Sequence, residues 1–254
     1  MQRYFIAPEQ FAEAEVRITG DDAHHLTRVM RAEPGDEVIA SDGVDREALV
    51  RIRTLEKNEV TADIVRRLPM ENEASVDVWI AQSLPKGDKM ETVIQKGTEI
   101  GAARFLPFVS ERTVVQLDAK KEGKRLERWQ KIAKEAAEQA HRNRVPEVEP
   151  VHSWKELLNR AKEANAAWIC YEKESGQTLR KAIRRAVAGA GQARVTPLLV
   201  IGPEGGFSEQ EVVAAEAAGC VPVSLGKRIL RTETAAMVGL TCILYEAGEM
   251  GGED

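Results

Sequence analysis

The feature that most constrains this chain is a change of apolar rhythm near residue 76. Beyond it, short runs rich in Val, Ile and Leu alternate with stretches whose apolar residues recur at helical spacing. Strand-like runs at 76–81 and 104–109 flank a helical pattern over about 87–100. A longer helix follows within 121–142, where Leu126, Trp129, Ala133, Ala136, Ala137 and Ala140 share one side. Further strand candidates lie at 166–171, 196–201 and 221–225, each leading through a loop into a helix. Such alternation implies an α/β domain with a mostly parallel sheet. Ligands gather beyond the carboxyl ends of the strands in these sheets, so the loops after 171, 201 and 225 are where chemistry is expected.

Before residue 70 the pattern differs. Alternating runs at 37–40 and 48–53 are broken by turn signals at 33–36 and 41–43, which suggests a small β-barrel. One helix interrupts it, expected to be capped near Asp21 and to carry Leu26, Val29 and Met30 on its apolar side. The stretch 68–73 has the composition of a linker. Two domains follow from this reading, 1–72 and 73–254.

Composition excludes some classes and leaves others open. The 254 residues are 43% hydrophobic and 30% charged, as in folded globular chains. No run of apolar residues is long enough to span a bilayer and no signal-peptide core precedes the first acidic residues, so a cytoplasmic location is expected. Cys170, Cys220 and Cys242 are far apart and set among apolar residues, so they read as small buried hydrophobes, with no metal site implied. The net charge of -5 argues against a generally basic surface. That total hides an asymmetry, because residues 84–145 hold 14 Lys and Arg against 9 Asp and Glu. Lys120, Lys121, Lys124, Arg125, Arg128, Lys131 and Lys134 crowd one helix, which is either a phosphate-binding patch or a solvated face.

Two loops carry the most specific signals. In 201–208, IGPEGGFS, a buried strand ends in Gly and Pro before a helix beginning near Ser208. Glycines there allow close approach of backbone to a ligand, although the spacing matches neither G-x-G-x-x-G nor the P-loop. In 225–235, LGKRILRTETA, Thr232 is placed to cap the next helix. The Ile229-Leu230 pair is unusual in an exposed connection. It reads either as a hydrophobic staple or as the wall of an apolar slot for an aromatic ring such as adenine.

Taken in this order and within so short a span, the two loops resemble those of the 16S ribosomal RNA uracil-N3 methyltransferases of the RsmE type, in the SPOUT superfamily. The resemblance extends to 84–91, 95–101, 110–112 and 135–139, and to Arg3-Tyr4-Phe5 and His24-His25-Leu26, so it covers essentially the whole chain. A small departure is Gly97, where the family often has Ala. The resemblance implies a C-terminal α/β domain with a trefoil knot and a small N-terminal PUA-like β-barrel that helps hold RNA. It further implies a homodimer, and S-adenosylmethionine held in a bent shape by three loops. On this chain those loops supply Tyr171; Ile201, Gly202, Pro203, Glu204, Gly205 and Gly206; and Leu225, Gly226, Ile229, Leu230, Arg231, Thr234 and Ala235. Adenine is expected against Ile229 and Leu230, and a side chain at Gly205 is expected to occupy ligand space. The dimer contact is expected on the 233–246 helix through Ala236, Leu240 and Ile243.

The implied reaction is direct methyl transfer to N3 of one uridine of 16S rRNA, of the position-1498 type, with the RNA expected within the small ribosomal subunit. N3 lies on the Watson–Crick edge, so the base must be unpaired or turned out, and N3 must lose its proton. Arg112, Arg142 and Arg231 are candidates to position the base or stabilise charge on its oxygens, because guanidinium both stacks and donates paired hydrogen bonds. Glu135, Glu138 and Glu233 could accept a proton, and the general base stays unassigned. RNA contacts are expected from Arg3, His24, Arg31, Lys86, Lys89, Lys124, Arg128 and Lys131, with His25 open between RNA contact and a structural role. Alternatives are another SPOUT activity such as ribose methylation of transfer RNA, a nucleotide-binding fold that uses 202–206 as a phosphate cradle, and a non-catalytic RNA-binding protein of ribosome assembly.

Overall fold

The computed structural model describes residues 1–115, 119–190 and 195–251, with the side chains of 119–121 and 187–190 left out. Lys120 and Lys121 of the basic cluster therefore lie outside the described side chains. The chain forms two compact units, Met1–Glu73 with Ala137–Val145, and Ala74–Ala136 with Pro146–Asp254.

The first unit is a five-stranded sheet in the order β1 (Arg3–Phe5), β3 (Glu37–Ser41), β4 (Glu47–Leu55), β5 (Glu59–Arg67), β2 (Glu15–Thr19). Only β1 and β3 are parallel. Alternation buries Val16 and Ile18 of β2 with Val38, Val50, Ile52 and Val60 in one core. Helix α1 (Gly20–His24) runs on into a widened turn over His25–Val29. Thr19 precedes it without a side-chain cap, so Asp21 lies inside the helix instead of capping it. The wider turn breaks the expected apolar stripe: Leu26 is buried, while Val29 is 62% exposed and Met30 42%. His25 is held structurally, its Nδ1 2.9 Å from the hydroxyl of buried Tyr4.

Ala137–Val145 belongs to this unit because its polar groups complete a buried network. Arg3 donates to both Glu47 oxygens at 2.5 and 2.9 Å and to the Arg142 carbonyl at 2.6 Å. Arg142 in turn pairs with Glu73 at 2.5 Å, and Asn143 donates to Glu47 at 2.9 Å and accepts from the Asn72 amide at 2.6 Å. The expected linker is thus fastened at its end. Arg3 and Arg142 are corrections to the sequence reading: both guanidiniums are buried in ion pairs, and withdrawing either would strand a buried carboxylate.

The second unit carries a parallel sheet in the order β12 (Val221–Val223), β10 (Ala166–Cys170), β11 (Pro197–Ile201), β6 (Trp79–Ser83), β7 (Arg104–Val109), β8 (Glu147–Val148), with β9 (His152–Ser153) also pairing β7. Every residue of β11 is buried, the mark of a central parallel strand covered on both faces. The helices are α2 (Lys89–Ile100), α3 (Ala119–Gln139), α4 (Trp154–Ala161), α5 (Leu179–Ala190), α6 (Glu209–Ala217) and α7 (Thr232–Glu246). In α3, Trp129, Ala133, Ala136 and Ala137 are buried while Lys124, Arg125, Arg128 and Lys131 are exposed. Helix α4 was not anticipated, although its Ser153–Glu156 capping box is a readable signal; Ser208 and Glu211 start α6 in the same way.

Helix α7 packs on α2, α5 and β11. Gly239 lets it lie so close to β11 that an added Cβ would stand 2.3 Å from Leu199 Cδ2. Ala236, Leu240 and Ile243 are therefore buried within their own chain and are not a dimer surface, which corrects that expectation. The outer side of α7 exposes Thr234, Cys242 and Tyr245. Cys242 thus departs from the expected buried cysteines, whereas burial pushes the Cys170 thiol up to about 12 and that of Cys220 to about 11. No helix among the described residues is long and apolar enough to cross a membrane.

Candidate active site

The loops that follow β10, β11 and β12 meet over the carboxyl ends of those strands and line one cavity of 450 Å³. Tyr171 comes from the first loop; Ile201, Gly202, Pro203, Glu204 and Gly206 from the second; Leu225, Gly226, Ile229, Leu230 and Arg231 from the third, with Ala235 from α7. The sheet order explains the meeting. Strands β10, β11 and β12 are far apart in sequence but adjacent in the sheet, so their ends converge.

Two expected cofactor residues are placed elsewhere. Gly205 is outside the cavity lining, and a Cβ there would meet Arg112 Cβ at 3.3 Å and Cδ at 3.5 Å. A side chain at Gly205 therefore presses on Arg112 and not into ligand space. Thr234 points to the exposed side of α7. Ile229 forms only the rim, because it is 87% exposed, whereas Leu230 is half-buried.

Thr232, Gln82, Lys89 and Glu204 tie the loops together; of these the sequence reading misses only Gln82, and it has Thr232 as a helix cap, Lys89 as an RNA contact and Glu204 as a cofactor residue. Thr232 is the first residue of α7, and Arg231 precedes it as the cap residue. Its hydroxyl donates to the Gly202 carbonyl at 2.6 Å and accepts from Gln82 Nε2 at 2.8 Å, joining the ends of β6 and β11 to the start of α7. Lys89 opens α2 and lines the cavity, with Nζ 2.9 Å from Glu204 Oε1 and 3.6 Å from Glu233 Oε2. Glu204 also accepts from the Lys86 amide at 3.1 Å. Burial pushes the Glu204 carboxyl up, but these hydrogen bonds outweigh it and hold it below the usual range. The Glu204 hydrogen bond raises Lys89 in return.

A second latch fixes the segment at 110–112. Ser208 Oγ donates to Glu111 at 2.7 Å, the Glu111 amide donates to Glu211 at 2.8 Å, and Arg112 donates to the Gly205 carbonyl at 2.8 Å. Arg112 is exposed beside the second loop, and Arg231 is exposed at the cavity mouth. Of the expected RNA contacts, His24, Arg31, Lys86, Lys124, Arg128 and Lys131 are exposed. Arg128 is bonded to Glu91 at 2.7 Å and Lys89 is engaged as described.

Residues 72–244 match the family model of an RNA methyltransferase domain, and residues 18–65 match that of an RNA methyltransferase PUA domain. The ribosomal RNA small subunit methyltransferase E of Bacillus subtilis is 42% identical over the full length of both chains. That of Synechocystis is 35% identical over 95% of this chain and 76% of its own. A crystal structure of the Neisseria gonorrhoeae ribosomal RNA small subunit methyltransferase E, bound to S-adenosyl methionine, is 31% identical and superposes with a TM-score of 0.84 over 97% of this chain and 98% of that one. The parallel-sheet unit and the β-rich unit are the SPOUT-type α/β and PUA-like parts that the resemblance implied. With a family model across most of its length and a full-length relative at 42% identity, the chain belongs to the ribosomal RNA small subunit methyltransferase E family of RNA methyltransferases.

Proposed function

We propose that this protein methylates N3 of a uridine in the 16S RNA of the small ribosomal subunit, with S-adenosylmethionine as donor. The observation that carries the reading is the single cavity built by the three loops, in a chain whose Neisseria relative was solved with S-adenosyl methionine bound. The residues present fit that cofactor. The cavity volume falls within the ~300–1,000 Å³ of small-molecule sites. Gly226, at φ +114°, has nothing within 4 Å of where a Cβ would sit, which leaves room for a ligand against the backbone. Leu225, Leu230 and Ala235 offer apolar surface for adenine, and Glu204 with Lys89 offers groups for the charged end.

When bound, the cofactor supplies a methyl already activated on sulfonium, so the chain's own task is placement. Gln82 and Thr232 fix the second loop against the third. Arg231, at the mouth, and Arg112, held by Gly205, are placed to meet negative charge that develops on the uracil oxygens as N3 gives up its proton.

The 1–72 segment, with exposed His24 and Arg31, extends the RNA contact, and the 73–254 segment carries the chemistry. The working form is a cytoplasmic homodimer, for which the outer side of α7 with Thr234, Cys242 and Tyr245 is the candidate face. Light scattering that gives a monomer at micromolar concentration overturns the dimer. The central test is mass-spectrometric mapping of 16S RNA from a deletion strain, together with calorimetry of S-adenosylmethionine binding. Loss of one N3-methyluridine, restored by the gene, is expected; an unchanged modification map refutes the reading.

A further inference from the structure

Ile229 is the most exposed large apolar side chain among the described residues, at 87%. It sits on the tip Lys227–Arg231, over the mouth of the cavity. Both ends of that loop are fixed. The Gly226 amide donates to Ser224 Oγ at 3.2 Å, the Ser224 amide donates to the Gln177 carbonyl at 2.9 Å, and Thr232 holds the far end to Gly202. The exposure is therefore built into a braced projection.

A hydrophobic staple does not need Ile229, and against adenine it supplies only the rim of the cavity. Leu230 stands at the staple position before the cap residue Arg231 and shares the cavity wall with Ala235 at the fourth helical position. Ile229 is one residue further out and meets solvent. Around it are Lys227, Arg228 and Arg231, all exposed and none in an ion pair among the described residues. An apolar side chain surrounded by cations suits a polyanion whose interior is stacked and apolar.

We propose that Ile229 is a wedge that enters the base stack beside the target uridine when that uridine turns toward the cavity, while Lys227 and Arg228 hold the flanking phosphates and Arg231 stays with the base. The inference rests on the reading of the protein as a ribosomal RNA methyltransferase. Uracil N3 takes part in pairing and is out of reach in a stacked strand, and apolar wedges between base steps are a known means of unstacking. The wedge is a positioning residue, since it touches RNA and not the reacting atoms.

The test compares wild type, Ile229→Ser and Ile229→Met on small ribosomal subunits from a strain lacking the methylation, with S-adenosylmethionine binding measured separately by calorimetry. Expected for Ile229→Ser is a kcat about tenfold or more below wild type, a KM for the subunit within about twofold, and cofactor affinity within about twofold. Ile229→Met, apolar and of similar reach, restores most of kcat. A wild-type kcat in Ile229→Ser overturns the wedge, and so does a parallel loss of cofactor affinity, which would return Ile229 to the adenine wall. A wild-type protein that neither binds the cofactor nor methylates the subunit removes the functional reading and the wedge with it.

Discussion

Gly97 of α2 and the ring of Phe105 in β7 touch so closely that a methyl added at Gly97 would stand 2.7 Å from Cε1 and 2.9 Å from Cζ. Phe105 is fully buried, so its ring has no open space to retreat into. The glycine that looks like a weak helix residue is a seat for an aromatic ring.

Gly97→Ala is therefore expected to destabilise by ~1–3 kcal/mol through overpacking, although helix propensity alone favours Ala by about 1 kcal/mol. Phe105→Leu in the same chain should recover part of that loss. Urea unfolding of the two single variants and the double variant measures the coupling. A Gly97→Ala protein more stable than wild type would contradict the packing argument.

Thr232 does more for the cavity than a helix cap would. Thr232→Val keeps the shape, removes the bond to the Gly202 carbonyl and leaves Gln82 Nε2 with one partner fewer. A loss of ~1–3 kcal/mol in stability is expected, with weaker S-adenosylmethionine binding, while Thr232→Ser stays close to wild type. Calorimetry decides, and equal cofactor affinity in the Val and Ser variants would remove Thr232 from the site.

The amino ends of the strands in the second unit hold a charge cluster remote from the cavity loops. Glu149 receives hydrogen bonds from Arg104 at 2.8 Å, Arg160 at 2.5 Å and His152 at 2.8 Å, and both arginines stack on Trp79. Burial pushes the Glu149 carboxyl up, but these bonds outweigh it and bring it down to about 2 from 4.5. A depressed carboxylate stabilises the fold above its unfolded value and loses that contribution as pH falls through its folded value. Wild type should thus exceed Glu149→Gln in stability at pH 7, by on the order of 2 kcal/mol after solvent screening. The gap should close between about pH 4.5 and 2. A gap that is constant over that range would mean that Glu149 acts by packing alone.

The sheet was legible because β7, β10 and β11 are continuous apolar runs, a pattern that few alternatives to a covered parallel strand produce. The loops of the cavity were legible because they follow those strands. What sequence could not give was direction. Gly205 and Gly206 are neighbours of one type, yet only Gly206 lines the cavity, and Arg231 faces solvent while Arg142 is buried beside Glu73. Such outcomes depend on partners far away in the chain, among them Gln82 for Thr232 and Arg112 for Gly205, which no local pattern encodes. The apolar stripe of α7 showed the same limit. Spacing identified a face to be buried, and only Gly239 lying on Leu199 reveals that the chain's own sheet buries it.

The exposed cations of α3 form a candidate RNA contact. Lys124, Arg128 and Lys131 stand on its outer side, in the segment where positive charge is concentrated. Arg128 is bonded to Glu91 at 2.7 Å, but its side chain is 65% exposed, and an exposed pair of this kind is worth only ~0–1 kcal/mol. It can be exchanged for a phosphate at little loss. Phosphate contacts release counterions, so RNA binding should weaken steeply with salt, and each contact removed should lower the slope of log affinity against log salt by roughly one unit. Replacing Lys124, Arg128 and Lys131 together by Gln is expected to weaken binding of 16S RNA at low salt and to flatten that slope by about two to three units. Calorimetry with S-adenosylmethionine should give the wild-type affinity, because none of the three residues lines the cavity. RNA affinity and salt slope that both stay at wild-type values would make this side of α3 a solvated face.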